Sequence, residues 1–201
     1  MAYTDFTLNN VVRDLGLIAQ VADLFPNSPT REMPSSLKEL LQKGLRQPLI
    51  SEKSRSEFIV VPILLATQDL ASRGIAIYSG QRLDVDSEKG LTGECDFILA
   101  ASPPLPSLNT PILTVVEAKK HDIENAIGQC IAQMVGARMF NEQTGKDYAQ
   151  MYGCVTNGEN WHFLRLEGAV VVIDQSRYYI DNVNAILGIL LEIVSRPAGS
   201  A

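Results

Sequence analysis

One long amphipathic stretch, Ile123 to Asn141, stands between two groups of short strand-like runs. Ile123, Ile127, Cys130, Ile131, Met134 and Ala137 recur at helical spacing and form its apolar stripe, so it is expected to be a crossover helix. Gly128 and Gly136 within it are small and are expected to let it approach a sheet closely. Ahead of it, residues 75–79, 94–100 and 112–119 read as strands, with 82–86 as a further candidate. Behind it come "YAQMYGCVT", the turn pair Asn157-Gly158, "NWHFLRLEG" and "AVVVID", which read as three more. A helix is expected from Ser51 or Ser54 through Asp69, with a kink or restart at Pro62. "VNAILGILLEIV" reads as a last helix. The order α, β, β, β, α, β, β, β, α predicts an α/β fold with a mixed sheet and helices packed against it.

Residues 5–47 read as short helices and loops. The expected organisation is an N-terminal helical segment over 1–50, packed on an α/β domain over 51–201, as one globular unit. The 201 residues carry 46% hydrophobic and 20% charged side chains, a balance that supports a folded core and excludes a disordered chain. Cys95, Cys130 and Cys154 are odd in number and far apart, which favours reduced thiols over disulfides or a zinc site. The two histidines, His121 and His162, are too few for a His-rich metal site. No basic, apolar leader and no bilayer-length apolar run stands in the sequence, so a cytoplasmic protein without membrane contact is expected. A net charge of −6 argues against a protein that coats nucleic acid. Lys38, Lys43, Arg46, Lys53 and Arg55, against Glu39 and Glu52, still leave one locally positive segment, which a solvated helix face also explains.

The stretch "PILTVVEAKKHD", Pro111 to Asp122, poses the functional question. Five of the seven residues Ile112 to Ala118 are apolar, as in a buried strand, yet the run ends in Glu117 and Lys119. Residues two apart on a strand share a face, so these opposite charges point to one place. Asp96, in "GECDFILA", is embedded among apolar neighbours on the preceding strand. If the two strands pair, Asp96 and Glu117 approach each other, and two close carboxylates need a proton or a cation between them. A hard divalent ion such as Mg²⁺, taking oxygen ligands and keeping its waters, answers that need. A lysine beside it suits water orientation or charge stabilisation on a phosphate.

An Asp on one strand and Glu-x-Lys on the next resembles the PD-(D/E)XK nuclease superfamily, with Asp96 and Glu117-Ala118-Lys119 in the motif positions. Cys95 stands where the motif's proline would be. Glu57, on the preceding helix, and Gln129 and Gln133, one turn apart on the following helix, match accessory positions of the superfamily. The run through Thr156-Asn157-Gly158 and Trp161 looks most like the N-terminal nuclease domain of type I restriction enzyme motor subunits and their stand-alone relatives. The resemblance spans residues 57–166.

It implies a restriction-endonuclease-like mixed β-sheet flanked by helices and a metal-dependent phosphodiesterase acting on nucleic acid, with DNA expected. Asp96, Glu117 and the carbonyl of Ala118 would bind Mg²⁺ or Mn²⁺. Lys119, Glu57, Gln129 and Gln133 would complete the catalytic set. The alternative is a nuclease-fold binding or regulatory protein with little catalysis. A homodimer is compatible with a domain of this size, although no interface is legible. Each residue also has a structural reading. Glu57 fits a Ser54-x-x-Glu57 capping box, Glu117 and Lys119 fit a plain salt bridge, and the glutamines fit a polar helix face.

Overall fold

The computed structural model describes residues 1–27, 29–119, 123–146 and 148–196. Its frame is an eight-stranded mixed sheet in the order β1-β7-β6-β5-β4-β3-β2, with β8 paired to β6. The strands are β1 (Ile18–Ala22), β2 (Ala76–Arg82), β3 (Glu94–Ala100), β4 (Ile112–Ala118), β5 (Gln150–Thr156), β6 (Asn160–Glu167), β7 (Val170–Asp174) and β8 (Tyr178–Tyr179). The pairs β1–β7 and β4–β5 are parallel, and the other pairs are antiparallel. A parallel pair needs a crossover. For β4 and β5 that crossover is α5 (Ile123–Gln143), as the amphipathic stretch predicts.

Helices cover both faces. On one lie α5 and α1 (Leu8–Asp14), with the short Tyr3–Asp5 turn. On the other lie α2 (Ser35–Gly44), α3 (Glu52–Arg55), α4 (Val61–Leu70) and α6 (Val183–Ser195). Every residue of the expected α5 stripe is buried, but so is everything from Ala126 to Ala137. The cause is a further layer. The Thr7–Leu8 backbone lies where a side chain on Gly128 would go, and the Tyr3 hydroxyl lies where one on Gly136 would go. These glycines therefore admit the N-terminal segment, not the sheet as expected from the sequence.

Other expectations also needed correction. Residues 18–22 form a strand rather than helix or loop. Residues 82–86 do not continue as a separate strand, because β2 ends at Arg82 and Asp86 makes a lone bridge to Leu91. The Ser54–Glu57 capping box does not form, because Ser51 is the N-cap and exchanges bonds with Ser54.

A restart falls at Pro62, as expected: α4 begins at Val61 with the proline in its first turn. The chain stays helical from Glu52 to Leu70, with one π turn at Ser56–Val60 in which the Val61 N–H reaches back to the Ser56 carbonyl. Pro62 has no N–H to offer the Phe58 carbonyl. Gly44 of α2 packs its backbone against that carbonyl instead. Arg55 then ties this helix to the β5–β6 turn, donating to the Asn157 carbonyl at 3.1 Å and to Glu159 at 2.9 Å. The three cysteines are free and buried, as expected. Among the described residues, no helix is long and apolar enough to cross a membrane.

Candidate active site

The antiparallel register of β3 and β4 pairs Ile98 with Val115 and Phe97 with Val116. One step further, the same register sets Asp96 opposite Glu117, and directly opposed residues point to the same face. The ladder stops before that step. The Ala118 N–H is taken by the Asp96 carboxylate, Oδ2 at 2.7 Å, so a side chain bridges the strand ends where backbone pairing has ceased. On the other side of β4, the Lys119 N–H bonds to the Thr156 carbonyl of β5 at 2.7 Å, which holds the residue in the sheet just past the strand end.

Glu117 is 1% exposed. Its Oε2 accepts from Gln133 Nε2 at 2.8 Å, and its Oε1 lies 2.7 Å from Lys119 Nζ. That second contact is an ion pair without hydrogen-bond directionality, and Oε1 has no hydrogen-bond partner. Burial and then the Asp96 charge push the Glu117 carboxyl up to about 7, against the opposing pull of Lys119 and Gln133. Burial also raises Asp96, the Ala118 N–H and Lys119 pull it back, and Glu52 and Glu94 push it higher again. For Lys119, burial lowers the ammonium, but the Glu117 carboxylate outweighs it and the net shift is upward. The group is thus a buried glutamate beside a partly buried aspartate, with one retained ammonium.

Asp96 and Ala118 open onto a cleft of about 420 Å³, whose other walls include Glu52, Lys53, Glu57, Ser79 and Glu94. A more enclosed apolar cavity of about 220 Å³ lies at the opposite end of β4 and β5, between Leu113, Tyr148, Tyr152, Ile193 and Arg196. Among the described residues its walls hold no acid and no lysine, whereas Asp96 stands at the cleft; Glu117 and Lys119 are not among the cleft's walls. Glu57 stands on the π turn at the cleft wall. Its half-exposed side chain faces Lys53 at 3.8 Å, and among the described residues no hydrogen bond or ion pair joins it to Asp96 or Glu117.

The two candidate glutamines separate. Gln133 holds Glu117, whereas Gln129, one turn earlier, is buried and, among the described residues, has no hydrogen bond to it. Sequence reasoning missed Glu52 and Glu94, both of which act electrostatically on Asp96. Glu94 was findable, because it stands two residues before Asp96 on one strand and so on the same side. Glu52 was not, because only the packing of α3 on the sheet brings it there. Trp161 and His162 are buried in the β5–β6 pair, where the indole N–H bonds to the Gly158 carbonyl and His162 Nε2 meets the Asp174 carbonyl. Lys120 and His121 lie outside the described residues.

Among the described residues, no three His, Cys, Asp or Glu side chains gather tightly enough to cage a metal ion by themselves. The donors present are hard oxygens: the Asp96 carboxylate acts electrostatically on Glu117, whose buried Oε1 lies against the Lys119 ammonium. A few protein oxygens with room for water suit Mg²⁺ better than a closed cage does, so the residues present fit such an ion. No protein-family model matches the chain, and no curated protein matches it.

Proposed function

We propose that the chain is a PD-(D/E)XK-type phosphodiester hydrolase of restriction-endonuclease-like fold, acting on nucleic acid, with DNA the expected form. One observation carries the reading: an aspartate and a glutamate from adjacent strands meet at a point where a lysine ammonium lies 2.7 Å from the glutamate. Asp96, Glu117 and the Ala118 carbonyl would hold Mg²⁺ or Mn²⁺. Such an ion, when bound, neutralises a phosphate and lowers the pKa of water.

The residues then have separable tasks. Gln133 fixes Glu117 Oε2, while Oε1 lies against the Lys119 ammonium. Lys119 carries its positive charge to the phosphate, where it orients the attacking water and stabilises the extra charge as a P–O bond to water forms and the P–O bond to the leaving sugar breaks. Glu57, at the mouth of the cleft, orders water there. Gln129 supports the helix face beside Gln133.

A second reading has one observation in its favour. Lys119 is engaged with Glu117, which suits a nuclease-fold binding protein with little catalysis. The test is Lys119→Ala assayed with Mn²⁺ on plasmid and on single-stranded DNA. Loss of cleavage with retained folding and metal binding supports the hydrolase. A parent protein that binds metal and cuts neither substrate supports the second reading. A variant that cuts as fast as the parent removes Lys119 from the mechanism.

A further inference from the structure

Strand β1 is exposed along its whole length and lies at the edge of the sheet, with no strand beyond it among the described residues. Ile18 is 56% and Val21 69% exposed. Natural edges of this kind are usually guarded by a charge, a proline or a bulge. The sequence Ile18-Ala19-Gln20-Val21-Ala22 has none of these.

The hydrogen bonds to β7 fix which backbone groups remain open. The Ile18 N–H donates to the Ala169 carbonyl, and the Ala22 carbonyl accepts from the Gln175 N–H. Strand alternation then turns Ile18, Gln20 and Ala22 toward β7 and leaves the N–H and C=O of Ala19 and Val21 pointing outward.

We propose that a second copy of this chain pairs on that edge, β1 antiparallel to β1 about a two-fold axis at Gln20. This register sets Ala19 against Val21 of the second copy and the reverse. All four open groups on each strand are then bonded. Each larger side chain meets a small one, Val21 on Ala19 and Ile18 on Ala22, and no charge opposes its own copy. The strand is therefore complementary to itself in one register. The area is small, so the dimer belongs to the weak class and forms at roughly 100 µM.

Gln20 meets its own copy as a non-hydrogen-bonded pair, with Cα atoms about 4.5 Å apart, which is within disulfide reach. The three native cysteines are buried and do not compete. Under mild oxidation Gln20→Cys should cross-link at least tenfold faster than Ile18→Cys, whose thiols are four residues out of register. Val21→Pro deletes an N–H that β7 does not use. It should sediment as a monomer, with unaltered melting, at concentrations where the parent dimerises. A parent that stays monomeric up to about 1 mM, or equal cross-linking of the two cysteine variants, overturns the proposal.

Discussion

Replacing Glu117 with glutamine isolates the energetic cost of burying its carboxyl beside Asp96. In the unfolded chain this carboxyl titrates near its ordinary 4.5, whereas in the fold it is pushed up to about 7. Between those values the unfolded chain releases a proton that the folded chain keeps. Stability from this group is therefore fully present below pH 4.5 and is lost as pH rises through 7. A tenfold change in proton affinity is worth about 1.4 kcal/mol, so the full penalty is about 3 kcal/mol, of which about 2.5 kcal/mol appears between about pH 5 and about pH 8. Solvent does little to screen it, because the side chain is 1% exposed. Glutamine keeps the shape and can still face Gln133, but it does not titrate. Lys119 titrates above this window, and its net shift is upward, so loss of its partner adds an offset without a slope. Urea unfolding of parent and Glu117→Gln at both pH values gives the double difference. The expected result is a parent that weakens by about 2–3 kcal/mol more than the variant on going to the higher pH. Parallel pH profiles would refute the claim that burial and Asp96 hold this carboxyl high.

Three further outcomes follow from the same geometry. Millimolar Mn²⁺ at about pH 8 should raise the melting temperature of the parent by several degrees through mass action, and Asp96→Asn should abolish the rise, as read by differential scanning fluorimetry. Gln133→Leu should leave Glu117 Oε2 unpaired, cost about 1–3 kcal/mol in urea unfolding, and push the Glu117 titration higher still. Gly128→Ala should destabilise by about 1–3 kcal/mol, because the new methyl meets the Thr7–Leu8 backbone rather than a movable side chain; a neutral result would mean that the N-terminal segment does not rest on α5.

The acid pair also explains an energetic oddity of the core. Strand β4 is buried at every position, and an apolar residue at 117 would be the cheaper choice there. On the proposed reading, a carboxylate kept in that position, beside a second one, is the local conflict expected of a functional site.

How far the sequence reaches depends on whether a signal is local. Unbroken apolar runs mark β3 and β4, and helical spacing marks α5, because these elements are buried on nearly all sides and their apolar residues record it. The approach of Asp96 to Glu117 was legible because two apolar strands with one intervening loop each carry a charge near one end. The choice between Gln129 and Gln133 was not legible. Both lie on a helix that is buried all round, so spacing alone does not say which one faces β4. The π turn at Ser56–Val60 depends on Pro62 together with Gly44, which approaches from another helix.

The sequence by itself determined that a strand, a crossover helix and a second strand would form around residues 112–156, and that their charged end would carry an acid and a lysine. Only the tertiary structure decided that β1 exists. Exposed on both faces, it leaves no alternation in the sequence, and it is held as a strand by hydrogen bonds to β7, more than a hundred residues away.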